Sequence, residues 1–251
     1  RVTRAGSLTR SEPLSGDREV PLFEQLEPMS AHRHGHLRLR QVANYKFAAY
    51  QSQVPLVFSE MLEAAKHFAI VFPSASPERP VALLGDASGR NRFVDESGRW
   101  GAGYLPAHLR RYPFTLATAD KGSEDRHAVL LDRSAPHLSS EEGEPLFAGG
   151  ELADSGSVAD AVAFLQRFQR EADAVPEHFL PLVQAGVLVE RSLDVRRGGT
   201  VVRQIRGVRV ADRDRLAALD DATLAAWARS GLLEAVHAHL LSLSNLRRLI
   251  D

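Results

Sequence analysis

The chain has no cysteine among its 251 residues. Disulfides, thiolate metal sites and cysteine nucleophiles are thereby excluded, and the absence fits either a cytosolic or a bacterial surface protein. Lysine is nearly missing too: Lys46, Lys66 and Lys121 stand against 28 arginines, a bias we read as genomic base composition. No uninterrupted apolar run approaches the ~20 residues of a membrane helix, so no integral membrane segment is expected. The opening stretch "RVTRAGSLTRSEPLSGDREV" lacks the apolar core of a signal peptide. That points to the cytoplasm, or to the cell envelope or surface layer if a leader preceded it. The formal net charge of −1 gives no global pull toward nucleic acid or anionic membrane, leaving only a local patch open, and nucleic acid is not expected as a partner.

What is present is ordinary for a soluble globular protein, 44% hydrophobic and 25% charged residues. Residues 1–20 are polar and without periodicity, which predicts a mobile arm ahead of one domain over 21–251. "HLRLRQV" alternates like a strand. In "PLVFSEMLEAAKHFAIVF" a helical spacing gives way to a buried strand, "FAIVF". "PVALLG", "NRFVD", "PFTLATA" and "HAVLLD" read as short strands, joined by turns such as "GDASGRN" and "DESGRWGAG". A helix is expected from Ser157, as N-cap, to Ala174, and "PEHFLPLVQAG" is expected to form a second, short one. The clearest hairpin spans "LVERSLDVRRGGTVVRQIRGVRVAD", turning at Arg197-Gly198-Gly199, with Gly207 as a bulge. A short helix near Asp220 and a closing one, with Leu232, Val236, Leu240, Leu243, Leu246 and Leu249 on its face, complete the pattern. The fold class is α+β: a mainly antiparallel sheet of short strands and hairpins with flanking and C-terminal helices.

Chemistry-bearing residues are few. His32, His34 and His36 in "AHRHGH" would share one face of a strand and could present imidazoles to zinc or iron. The competing reading is a solvated polar segment, and no metal and no cofactor are expected. His237 and His239 point about 200° apart on a helix and cannot share a metal. A hydrogen-bonded core or interface histidine is expected at His237. Glu60, on a helix flanking the sheet, is either a surface acid in a salt bridge or a partly buried general base. There is no G-x-S-x-G nucleophile motif, and the arginine-rich hairpin lacks the interleaved aromatics of an RNA-binding surface.

The densest signal is "YLPAHLRRYPF", residues 104–114. Pro106 suits the first position of a helical turn, and Pro113 turns the chain out into the next strand. Arg110 and Arg111 then leave one turn about 100° apart. One is expected to satisfy loop carbonyls and the other to face solvent or grip a carboxylate or phosphate beside Trp100 and Tyr104. Arg110, following Leu109, is expected to be the structural one.

Taken in order, "VPLVFSEMLEAAKHFAIVF", "PVALLG", "NRFVDESGRWGAGYLPAHLRRYPF" and "GLLEAVHAHLLSLSNLRRL" resemble the SapC-like bacterial proteins, a family named for a surface-layer-associated protein. The resemblance covers most of the chain from about residue 36. It departs in "KHF" before "AIVF", where the family tends to carry an aromatic and a proline, and in the longer N-terminal arm. It implies a role at the bacterial surface layer, and an association with halogenase-like flavoproteins, iron-dependent hydroxylases and outer-membrane receptors. It carries over no catalytic residues. The combined expectation is a non-catalytic binding or accessory protein acting on a small ligand, a peptide or a partner enzyme. The rivals are a histidine-ligated metalloenzyme and a structural surface-layer component.

Overall fold

The computed structural model describes residues 21–117 and 128–250, so the arm expected over 1–20 lies outside the described residues. In chain order the elements begin with β1 (Leu26–Pro28), α1 (Ala31–His34), β2 (Arg38–Leu39) and β3 (Gln53–Pro55). Then come α2 (Met61–Ala65), β4 (Ala69–Pro73), β5 (Val81–Leu83), α3 (Ala107–Arg110), β6 (Phe114–Leu116) and β7 (Val129–Asp132). Short strands β8 (Leu138–Ser139), β9 (Glu144–Pro145), β10 (Phe147–Ala148) and β11 (Glu151–Leu152) lead to α4 (Gly156–Gln184). The chain closes with β12 (Leu188–Arg197), β13 (Thr200–Ala211), α5 (Arg213–Ala217), α6 (Asp221–Ser230), α7 (Leu232–Ser242) and a 3-10 turn over Leu243–Leu249.

The largest sheet runs β12-β13-β4-β5-β3, and a second runs β1-β7-β6, with antiparallel pairing throughout. The expected α+β architecture is therefore the one the chain adopts. All five residues of β4 are buried, because the sheet covers its edges and helices cover its faces. The closing helix α7, which buries Leu232, Ala235 and Val236, packs on it. His239, wholly buried, ties the layers together: its Nδ1 lies 2.9 Å from the Ile70 carbonyl of β4, and its Nε2 accepts from Ala211 N of β13 at 3.0 Å. The Ser242 hydroxyl accepts from Ile70 N at 2.9 Å, and the Asn245 amide donates to Ala65 O at 2.8 Å. The core histidine is thus His239; His237 is exposed.

The long hairpin follows its sequence closely. Gly198 and Gly199, with φ of 54° and 88°, form a two-residue turn between paired Arg197 and Thr200. Gly207, at φ 72°, lies in a bulge where the register slips opposite Arg191 and Leu193.

Three local expectations fail. "NRFVD" is not a strand but a pair of isolated bridges, Gly85 to Asn91 and Val94 to Trp100. The cause is a motif used twice, "DASGR" at 86–90 and "DESGR" at 95–99. In each, the aspartate Oδ1 accepts from the serine N–H, the serine hydroxyl and the arginine N–H, closing a tight side-chain turn. The two expected helices after residue 156 are one helix, α4, with Pro176 and Pro181 inside it. Each proline forfeits a backbone bond at a cost of about 3 kcal/mol, but Phe168, Ala172, Val175, Phe179 and Leu182 form one continuous buried stripe across them. Burial of Phe179 and Leu182, worth about 1.5–3 kcal/mol each, favours continuing the helix. Its cap is not Ser157 either. The Glu144 carboxylate of β9 accepts from Ser157 N at 2.6 Å and from its hydroxyl at 3.0 Å, placing an anion at the positive helix end.

Candidate functional site

The corner "YLPAHLRRYPF" is built around one buried carboxylate. Glu60, 4% exposed, accepts at Oε1 from the Tyr104 hydroxyl and from Ala107 N, each at 2.9 Å, and at Oε2 from Val57 N at 3.1 Å. Ala107 is the first residue of α3, with Pro106 as the extended residue before it, one place earlier than its sequence position suggested. Glu60 therefore caps a helix distant in sequence. It is not a surface acid and has no ion-pair partner among the described residues, and burial raises its pKa against the lowering effect of these hydrogen bonds. Burial, followed by the Glu60 charge, raises the Tyr104 phenol well above its usual range. Trp100 donates its Nε1–H to Tyr104 O at 2.8 Å and packs against Tyr45, Phe68 and Phe93, so it braces the loop from behind.

The two arginines divide their roles opposite to expectation. Arg110 is exposed, its guanidinium over the Phe164 ring of α4 at 5.0 Å and near the Tyr104 ring at 5.9 Å. Arg111 is the interior one, at 4% exposure. The reversal follows from where the core lies: α3 turns its Ala107, His108 and Arg111 side inward, and Arg110 falls on the outer edge. Arg111 sits between Phe23 and Phe168, 5.2 Å and 5.3 Å from their ring centres. It donates from Nε to the His108 carbonyl at 3.2 Å and from one terminal nitrogen to Thr115 Oγ1 at 3.1 Å; the other lies 3.4 Å from His108 Nδ1. Burial lowers its pKa to about 9, leaving it a cation at neutral pH. Burial, reinforced by the Arg111 charge, drives His108 well below the usual histidine range, so it is neutral.

Arg110 and Arg111 share the wall of an open cavity of about 710 Å³, within the range of small-molecule sites. Its apolar wall comes from Leu39, Val42, Tyr45, Phe114, Ala161 and Phe164. Arg40, His137, Asp160 and the Tyr112 phenol also line it. Burial, and then the Arg40 charge, lower the His137 pKa; its ring bonds the Val42 backbone, and its buried Nδ1 has no partner among the described residues. Glu60, Tyr104 and Arg110 meet instead at a cleft of only about 80 Å³ on the other side of Arg110. The five residues singled out in sequence thus belong to one corner but not to one pocket. The cavity's far wall, from residues 39–45 and 157–164, carried no sequence signal, because only the packing of α4 across β6 creates it.

The histidines of "AHRHGH" do not converge. Residues 31–34 form a single helical turn rather than a strand, leaving His32 and His36 exposed and His34 buried. His34 accepts at Nδ1 from Ser30 N at 3.1 Å, and its Nε2 lies 3.2 Å from Glu27 Oε2. Among the described residues no three His, Asp or Glu side chains are grouped to hold a metal, and no helix is long and apolar enough to cross a membrane.

No curated protein and no solved structure matches this chain. One family does: its model, described as SapC, matches residues 29–249, which takes in the Glu60 brace, the arginine corner and the closing helix, and the chain belongs to the SapC family.

Proposed function

We propose that this protein is a binding or accessory protein whose ligand, a small molecule or a short peptide segment, occupies the cavity between the arginine corner and the first half of α4. The observation that carries this reading is a cavity of about 710 Å³ with an aromatic and aliphatic wall and arginines on one side. An apolar wall with a few placed polar groups is the usual make-up of a ligand site. The supports of the cavity are rigid: Glu60 fixes α3, Trp100 fixes the loop before it, and Glu144 fixes the start of α4. These hydrogen bonds support a cavity formed ahead of its ligand, so that little ordering free energy would oppose binding.

The test is isothermal calorimetry and thermal shift on the full chain, with a panel of acidic and neutral apolar small molecules. Ala161, on α4, faces the cavity. Ala161→Trp should project into it and obstruct it, keep the melting transition and abolish binding. Binding unaffected by Ala161→Trp would move the site elsewhere.

A further inference from the structure

Arg111 presents a problem the fold leaves unsolved. It is a buried cation, and among the described residues no carboxylate lies within ion-pair distance of it. Burying an unpaired charge is costly, and buried arginines normally meet an anion. The rings of Phe23 and Phe168 lie close to its guanidinium, and its three polar contacts are to a carbonyl, a hydroxyl and a neutral imidazole. A guanidinium has five N–H groups; three are engaged, and two remain on a residue that lines the cavity. His137, on the same cavity, carries a buried Nδ1 with no hydrogen-bond partner among the described residues.

Resting on the binding reading above, we infer that the cavity takes an apolar acid and seats its carboxylate on Arg111. Two free N–H groups match the two oxygens of a carboxylate. A phosphate dianion would call for a second cation at the same depth. The nearby arginines do not supply one: Arg110 is exposed over Phe164, and Arg40 is held at the rim by Pro136 O at 2.9 Å and Glu142 at 3.6 Å. The uncharged body of the acid lies on Phe164, Val42 and Leu39, an apolar surface that a second charge on the ligand would disfavour. Asp160, at the exposed start of α4, disfavours additional negative charge on the ligand.

The experiment measures affinities for 3-phenylpropionate and octanoate, each against its uncharged primary amide, and competition by inorganic phosphate. The unmodified protein should prefer acid over amide by about tenfold or more, the value of a charge-assisted pair. A hexapeptide ending in a free phenylalanine carboxylate, compared with its amidated form, separates a chain terminus from a free acid as the source of the carboxylate. Arg111→Met should bring the acid-to-amide ratio to about one, and Arg111→Lys should keep part of the preference. Should Arg111→Met fail to fold, the acid-to-amide comparison on the unmodified protein decides alone. Amides binding as tightly as acids, or phosphate competing, would overturn the carboxylate assignment and leave the binding function standing. Binding of neither acids nor amides would remove both.

Discussion

Acidification should unlock the closing helix through His239. The imidazole is wholly buried, and burial pulls its pKa down to about 4, only partly offset by the bond to the Ile70 carbonyl. The unfolded chain returns it to an ordinary value of about 6.5. Between those values the unfolded state binds the proton and the folded state does not, so stability falls as pH drops. Above about pH 6.5 the contribution is intact, and below about pH 4 both states are protonated and this group costs nothing further. A gap of about 2.5 units at 1.36 kcal/mol each gives a loss of roughly 3 kcal/mol across that window. The chemistry agrees: a proton on Nε2 would face the Ala211 N–H, donor against donor, and break the link between α7 and β13. Urea unfolding followed by tryptophan fluorescence between pH 4 and 7.5 measures this, using His239→Gln as the reference. His108 and His137 titrate in the same direction, but both are present in the two proteins and cancel. The unmodified protein should lose about 3 kcal/mol more than the variant across the window. Equal losses would mean His239 titrates alike in the folded and unfolded chains, and the reasoning fails.

Glu60→Ala strands the donors of Val57, Tyr104 and Ala107, and should cost about 3 kcal/mol or more in chemical denaturation; a change under 1 kcal/mol would remove its bracing role. Arg111→Ala should lower stability by about 1–3 kcal/mol, because the His108 carbonyl and Thr115 hydroxyl lose their donor. Arg110→Ala gives up only exposed ring contacts and should shift the melting temperature by no more than about 4 °C; equal losses in the two variants would contradict the division of roles. Removing residues 228–251 exposes β4 and deletes His239 and Ser242, so no cooperative melting transition should remain. Elemental analysis of untagged protein should find no zinc or iron that is lost on replacing His32, His34 and His36 by alanine; stoichiometric metal with that dependence would revive the metalloenzyme reading.

Elements whose information is local could be read from the chain directly. The hairpin β12–β13 is written in its Gly-Gly turn, its alternation and the bulge at Gly207. The strand β4 and the apolar face of α7 are written in runs whose burial any packing would demand. Where a side chain competes with the backbone, the reading went wrong for a nameable reason: the repeated D-x-S-G-R turns were visible, but their neighbouring apolar residues suggested strands. The continuation of α4 through two prolines was decided by the core stripe beneath it, a balance of tertiary burial against local propensity. The candidate site shows the same split. Trp100, Tyr104, Arg110 and Arg111 announced a corner, since prolines and aromatics constrain the chain wherever they occur. Which arginine is buried depends on the direction from which Phe23 and Phe168 approach, and those lie 88 and 57 residues away in the chain. The cavity has no sequence of its own. It is the space left between α4 and the β2 region, and only the packed structure brings to its wall a buried guanidinium with no ion-pair partner among the described residues.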